Sequence, residues 1–320
     1  MKKIIVLGAG GFIGSHLVQR LKSEGNYVIG VDLKTPEYIE TLADEFLIGD
    51  LREFDFVSKV ITVGIDELYQ LAADMGGAGY IFTGEHDADI MHNSVQINVN
   101  VAKLAVERKV KALFYASSAC IYPEYNQMNP ENPKCEESSA YPAAPDSEYG
   151  WEKLFSERLY LSYKRNYGLN VKIARFHNIF GEKGVWNNGK EKAPAALCRK
   201  VALAKSEDTI DIWGDGKQTR SFLYINDCLD AVIQLTRSEF TGPYNIGSEE
   251  MISINDYAML IANIASKKIS LKHISGPQGV RGRSSNNDLI YRDLKWTPKY
   301  DLKAGTTILY NWIENQVNEK

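Results

Sequence analysis

Residues 2–34 read KKIIVLGAGGFIGSHLVQRLKSEGNYVIGVDLK, and this stretch decides the fold. Ile4 to Leu7 form a short apolar run that stops in a glycine turn. Phe12, Ile13, Leu17, Val18 and Leu21 then recur at helical spacing until Gly25 ends the helix. YVIGVD, 27–32, is a second strand. Strand, turn, helix and strand make one βαβ unit. Gly8, Gly11 and Gly14, with Gly10 as an extra, suit a tight turn, close approach to a pyrophosphate and tight helix–strand packing. The helix N-terminus, starting at Phe12 and Ile13, then faces the phosphates. Asp32 closes the second strand, 18 residues after Gly14. A carboxylate there bonds both adenosine ribose hydroxyls and repels an added phosphate, which predicts NAD rather than NADP.

The rhythm continues with strands at 45–51 (EFLIGDL), 67–73 (ELYQLAA), 111–118 (KALFYASS) and 170–176 (NVKIARF), with helical stretches between them. Alternating strands and helices predict a Rossmann-type, doubly wound α/β fold with helices on both faces of a parallel sheet. Ligands of such sheets sit beyond the C-terminal strand ends. Gly8, Asp32, Ala72, Ser118 and Phe176 are therefore expected along one edge, with Asp50 placed to bond the adenine amino group.

After residue 178 the pattern changes. EKGVWNNGKEK is a polar loop without periodicity, and APAALCRKVALAKS, 193–206, is a helix. FLYINDCLDAVIQLTR, 222–237, returns a strand and a helix to the first domain. SINDYAMLIANIAS, 253–266, starts at a cap, Ser253 or Asn255, and carries an apolar stripe. The closing helix, with Leu309, Trp312, Ile313 and Val317, reads as packing. The expected division is a cofactor domain of 1–178 plus 221–249, and a smaller α/β substrate-binding lobe of 179–220 and 250–320.

The 320 residues carry a net charge of −4, with 44% apolar and 24% charged residues, an ordinary globular balance. Nothing points to a nucleic-acid surface, and no apolar run is long enough to span a bilayer. The N-terminal apolar stretch is too short for a signal peptide. The four cysteines, Cys120, Cys135, Cys198 and Cys228, show no CxxC pair and no zinc spacing. Reduced thiols, a cytoplasmic setting and no metal are expected.

Two segments carry reactive groups. YASSACIYPE, 115–124, ends a strand in Ser118, Ala119 and Cys120. SEYGWEK, 147–153, spaces Tyr149 and Lys153 four apart, on one helix face. An ammonium near a phenol favours the phenolate, so Tyr149 is expected to act as a base near neutrality. A thiol is also a plausible base, its ordinary pKa lying near 8.5. An isolated cysteine at a strand end is otherwise a small packed residue.

The glycine turn, Ser118 and the YxxxK pair together resemble the extended short-chain dehydrogenase/reductase family, along the whole chain. The resemblance implies Ser118, Tyr149 and Lys153 as the hydride-transfer triad, with tightly held NAD and a nucleotide-sugar substrate. Gly8, Gly11, Phe12, Ile13, Gly14, Asp32, Asp50, Leu71, Ala72, Tyr149 and Lys153 would hold the cofactor. LAADMGGAGYI (71–81), YASSACIYPE, ARFHNIFG (174–181), EKAPAALCRK (191–200), WGDGKQTRSF (213–222), NIGS (245–248) and GPQGVRGRSSNN (276–287) are similar, in order, to a branch of that family. That branch epimerises GDP-mannose at carbons 3 and 5.

In that branch, oxidation at carbon 4 makes the hydrogens at carbons 3 and 5 acidic. Inversion then needs two groups on opposite ring faces. Cys120 is one. Lys192 is the other by resemblance, although the residues alone leave Lys190 open. Arg220, Arg283 and Lys200 are cations for the diphosphate, Arg because its fork makes paired bonds. Arg281 is ambiguous with Arg283. Gly77, Ser118, Ala119, Cys120, Asn178, Glu191, Lys192, Ala193 and Gln218 complete the expected substrate contacts. His177 reads as bonded to backbone, and Met75 as shape. A homodimer through helices 92–108 and 149–166 is expected.

Other outcomes are a 4-epimerase or 4,6-dehydratase on the same scaffold, or another GDP-sugar such as a deoxy sugar or heptose. Ser118-Ala119-Cys120 stands where a dehydratase of the family carries an acidic pair. A non-enzymatic protein that kept the fold would be expected to lose Tyr149 or Lys153. GEHDAD, 84–89, departs from the branch pattern near the sugar.

Overall fold

The computed structural model describes residues 1–276 and 279–319. Pro277 and Gln278, inside the GPQGVRGRSSNN segment, lie outside the described residues.

The chain begins β1 (Lys3–Leu7), α1 (Phe12–Ser23), β2 (Tyr27–Asp32), β3 (Glu45–Ile48), α2 (Phe54–Val60), β4 (Glu67–Gln70), α3 (Ala78–Ile81), α4 (Asp87–Glu107) and β5 (Ala112–Ser118). It continues α5 (Glu148–Tyr167), β6 (Val171–Phe176), β7 (Ile179–Phe180), α6 (Ala193–Leu203), β8 (Thr209–Trp213), β9 (Thr219–Ser221), β10 (Leu223–Tyr224), α7 (Ile225–Thr236) and β11 (Tyr244–Ile246). It closes with β12 (Met251–Ser253), α8 (Ile254–Ile264), β13 (Ser270–Ile274), β14 (Gly282–Arg283), α9 (Asp288–Leu294) and α10 (Leu302–Asn318).

Among the described residues the large sheet has seven strands in the order β11-β6-β5-β4-β1-β2-β3. Every pairing in it is parallel, with Ile4 opposite both Val28 and Glu67, and Ser118 opposite Phe176. The order reverses between β1 and β4, which opens a crevice beyond their C-terminal ends.

Alternation along the strands loads both faces. Ile4, Val6, Tyr69 and Phe114 join one apolar core, with Leu17 and Leu21 of α1 and Leu229 and Val232 of α7. Ile5, Leu7, Leu68, Leu113 and Tyr115 join the other, with Val101 and Leu104 of α4 and Tyr160 of α5. Successive strand residues point to opposite faces, so a run that is apolar throughout needs cover on both. The first core runs on into Leu197 and Val201 of α6, Ile261 of α8 and Leu309 and Ile313 of α10.

Three expectations change. The third and fourth strands end earlier than read, at Ile48 and Gln70, because side chains take backbone N–H groups just beyond them: Asp50 that of Arg52 and Gln70 that of Ala72. The strand in the 222–237 segment does not return to the large sheet: β10 pairs with β7. The seventh strand is β11, three residues that pair with β6 and lie outside the strands read from sequence. The alternative at α8 resolves to Ser253, whose Oγ accepts from the Asp256 N–H at 3.0 Å. Among the described residues no helix is long and apolar enough to cross a membrane.

Candidate active site

The glycine turn after β1 is built from backbone. Gly8 has φ +85°, where a side chain is strained, and an added Cβ would lie 2.8 Å from the Ala72 nitrogen. A Cβ on Gly14 would overlap the Gly8 carbonyl. Gly10 presses on Asp32, and its N–H donates to Asp32 Oδ2 at 2.9 Å. The Leu33 N–H donates to Oδ1 at 2.7 Å, so two backbone donors fix this carboxylate. Gly11 differs: an added Cβ would meet only the Gly8 carbonyl oxygen, at 3.4 Å. Gly11 also caps α1 without a side chain, leaving the first-turn N–H groups unclaimed by a cap. Asp50 is not a bare carboxylate. Arg52 spans both its oxygens, 3.0 Å from Nε to each, and holds the carboxyl below its ordinary range.

The reactive groups meet beyond β5. Ser118 caps the short turn at 119–121, its Oγ accepting from the Cys120 N–H at 3.2 Å. Ser147 caps α5, accepting from the Gly150 N–H at 3.3 Å. A Cβ on Gly150 would strike the Cys120 carbonyl, so the helix start sits directly on the cysteine turn. Tyr149 lies on the same turn, within electrostatic reach of Cys120. Lys153 Nζ donates to the Ala116 carbonyl at 3.2 Å and lies 5.6 Å from the Tyr149 ring centre.

In this structure burial outweighs the expected pull of Lys153 on the Tyr149 phenol. Burial pushes the phenol up, Cys120 and Glu152 push it further, and Ser118 and Arg283 oppose them only in part. Burial lowers the Lys153 ammonium as well, against Glu152, Cys120 and Glu157.

β14 carries Arg283 onto the same turn. Its Nη1 donates to Cys120 Sγ at 3.1 Å, its Nε to Gln127 Oε1 at 2.6 Å and its Nη2 to Asp146 Oδ2 at 3.4 Å. The fork expected to grip a diphosphate is thus spread over three side chains of the protein itself. Arg281 pairs with Asp215 at 3.0 Å, which separates the two arginines.

Lys192 stands at the N-cap of α6. Its residue surface is open to the cleft, but protein crowds the ammonium, and that crowding lowers it against the opposing pull of Cys120 and Cys228. Lys190 instead lies 4.9 Å above the Tyr80 ring. Lys192 is placed within electrostatic reach of Cys120.

A family model described as the NAD dependent epimerase/dehydratase family matches residues 4–247. The chain belongs to this family. A GDP-mannose 3,5-epimerase of Arabidopsis thaliana is 47% identical over 320 residues, covering 99% of this chain and 84% of that protein. GDP-mannose 3,5-epimerase 1 of Oryza sativa subsp. japonica is 46% identical, covering 99% and 83%. Among solved structures, UDP-glucose 4-epimerase of Thermotoga maritima with UDP-glucose superposes at a TM-score of 0.85, with 20% identity, over 98% of this chain and 99% of that one. At that identity the likeness speaks for the fold.

NAD is the cofactor of this NAD-dependent epimerase, and the residues present fit it. The open front of Gly11, the uncapped start of α1 and the fixed Asp32 carboxylate form a cradle that a side chain at residue 11 would fill. Among the described residues no group of His, Cys, Asp and Glu side chains is arranged to hold a metal ion.

The remaining expected contacts have local tasks. Gly77 is expected to let the backbone approach the sugar closely. The atoms an added Cβ would meet are the carbonyl oxygens of Glu191, at 3.0 Å, and Lys190, at 3.1 Å, so the glycine docks one loop on another. Glu191 accepts from Arg199 at 2.8 Å and from the Gly189 N–H at 2.6 Å. Ala193 opens α6. Lys200 donates to the Asp211 carbonyl at 2.6 Å.

Arg220 donates to the Thr219 and Val280 carbonyls, each at 2.8 Å. Burial, with Arg283 adding, lowers it to about 10. Gln218 donates to the Trp213 carbonyl at 3.3 Å, while its buried Oε1 finds no donor among the described residues. Asn178, at φ +46°, donates to the Ser221 carbonyl at 2.9 Å.

His177 is bonded to the Asn245 side chain at 2.9 Å rather than to backbone, and burial lowers it to about 3. It is a packed neutral group. Met75 is exposed. Sequence reading missed Gln127, Asp146 and Glu152. The first two carry no local signal, because their partner Arg283 is far along the chain. Glu152 had one: it lies between Tyr149 and Lys153, where a helix facing a core would carry an apolar residue.

Proposed function

We propose that this chain interconverts GDP-mannose and GDP-L-galactose by inverting carbons 3 and 5, with GDP-L-gulose as the 5-epimer. The observation that carries the reading is Cys120 and Lys192, on separate segments, within electrostatic reach of each other beside Tyr149 and Lys153. The chain is also 47% identical, over 99% of its length, to a curated enzyme of that name.

NAD, when bound, accepts and returns the hydride of carbon 4. Tyr149 Oη, once it has given up its own proton, takes the proton of the carbon-4 hydroxyl, with Ser118 at the adjoining strand end. Lys153 orients the cofactor and Tyr149. The carbon-4 ketone acidifies the neighbouring C–H bonds. Cys120 Sγ removes a proton from one ring face and Lys192 Nζ delivers one to the other. The lowered Lys192 ammonium gives up its proton more readily than a lysine whose ammonium stands in water. Arg220, Asn178, Gln218 and Lys200 are the candidates for the nucleotide and sugar. Residues 1–178 with 221–249 hold the cofactor, and 179–220 with 250–320 hold the GDP-sugar.

Incubation with GDP-mannose in deuterated water, without added NAD, tests the reading. Deuterium at carbons 3 and 5, lost in Cys120→Ala, supports it. Uptake at carbon 5 alone reduces the reaction to a single epimerisation. No uptake by protein that retains NAD overturns GDP-mannose as the substrate.

We read the pairing face as α4 with α5, in a cytoplasmic homodimer. Met91, Val95, Glu148, Trp151 and Phe155 line a surface groove of about 560 Å³ there, with Trp151 and Phe155 exposed. Trp151→Glu is expected to sediment as a monomer.

A further inference from the structure

Glu152 is a carboxylate that the reaction above does not use, yet it is fully buried on the reactive helix. Adjacent helix residues ordinarily point apart. Here Glu152 Oε2 lies 3.9 Å from Lys153 Nζ. Oε1 accepts from Ser156 Oγ at 2.7 Å and from Asn98 Nδ2 at 3.1 Å, while Oε2 has no hydrogen-bond partner among the described residues. A buried acceptor without a donor is costly, and among the described residues what compensates it is the charge of the neighbouring lysine.

The carboxylate is also anchored to the cofactor edge. Asn98 Oδ1 accepts from Gln70 Nε2 at 2.9 Å and from the Tyr160 hydroxyl at 3.0 Å. Gln70 in turn grips residue 72 twice, donating to the Ala72 carbonyl at 3.0 Å and accepting from its N–H at 3.2 Å. One buried chain of hydrogen bonds therefore runs from the loop after β4, through α4, to the helix bearing Tyr149 and Lys153.

We propose that Glu152 is a positioning residue: a fixed, buried countercharge that keeps the Lys153 ammonium charged and ties it, through Asn98 and Gln70, to the cofactor-facing backbone at Ala72. The inference deepens the reading of Lys153 given above and rests on it.

The surroundings of Lys153 leave this task to Glu152. On its own helix Lys153 also meets Tyr149, a neutral phenol, and Glu157, which is already spanned by Arg175 at 2.8 and 3.0 Å and bonded by Ser117. From β5 come the Tyr115 ring, 5.1 Å from Nζ, and the Ala116 carbonyl. From the following turn comes Cys120, already bonded to Arg283. Burial draws the ammonium down, and Glu152 is the largest opposing influence.

The sign follows. Without the negative neighbour, Lys153 surrenders its proton at lower pH. The alkaline fall of activity then moves to lower pH.

The test compares wild type with Glu152→Gln, which keeps the acceptor for Asn98 and Ser156 but not the charge. Glu152→Met is the second uncharged variant, and Glu152→Asp restores charge. Two readouts are taken: kcat against pH with GDP-mannose, and the 13Cε resonance of Lys153 in lysine-labelled protein, assigned by its loss in Lys153→Arg. The expected result is an alkaline limb and a Lys153 midpoint lower by about one pH unit or more in the uncharged variants, a tenfold or greater loss of proton affinity, with a return toward wild type in Glu152→Asp. Unchanged midpoints in folded uncharged variants overturn the proposal. Absence of turnover by wild type on GDP-mannose would count against the substrate alone, because the resonance is read without substrate.

Discussion

The turns after β1 and β5 end parallel strands at the same sheet edge, yet they are built from different materials. The first is backbone: Gly8 against Ala72, Gly14 against Gly8, and two N–H groups on Asp32. The second is side chain: the Ser118 hydroxyl on the Cys120 N–H, Arg283 on the Cys120 sulfur, and Lys153 on the Ala116 carbonyl. Backbone contacts tolerate almost no added atom but make no choice of chemistry. Side-chain contacts tolerate substitution structurally and carry the reaction.

Four experiments separate the two turns. Cys120→Ala should lower deuterium exchange by about 10²–10⁴-fold, the ordinary worth of a placed acid or base, with NAD retention and melting temperature kept. A protein that lost its cofactor as well would show that the second turn is structural after all. Gly14→Ala should do the reverse. Its Cβ strikes a backbone carbonyl that cannot rotate away, so about 1–3 kcal/mol of stability should go, as for other overpacked positions. NAD should go with it. Denaturant midpoints and cofactor absorbance read both losses.

A third strand end, after β6, sharpens the point by being side-chain built but silent. His177 is buried beside Asn245 and titrates near 3 in the fold against an ordinary value of 6.5. The unfolded chain binds this proton first as pH falls. Stability should therefore decline from about pH 6.5 toward 3, and a His177→Gln variant should decline less over that window. The smallest effect on stability is expected for Gly11→Ala, whose Cβ meets only one atom, at 3.4 Å. Its melting temperature should hold while its NAD affinity falls. A large loss of stability would mean that the front of the turn is not open.

The difference in material also explains what could be read from the sequence. A turn that demands glycine announces itself, and with the apolar rhythm of 4–7 and 28–31 it gave the sheet its first pair of strands. Tyr149 with Lys153, and Ser118 with Cys120, were legible because each pair lies within one element or one turn. Arg283 was singled out, but its contact with Cys120 was not legible: the two meet across 163 residues, and nothing local announces a guanidinium on sulfur. Gln127 and Asp146 were missed for the same reason. β11 escaped because three residues have too little pattern, and its place is set by β6 alongside it.

The docking of Gly77 on the carbonyls of Lys190 and Glu191 has a consequence for transplanting this site into another scaffold. The segment that presents Lys192 takes its height from the loop after β4, not from α6 alone. Moving Cys120 and Lys192 as two point changes would leave the lysine without its floor. The cassette to move is three pieces together: residues 71–81, 115–124 and 188–200.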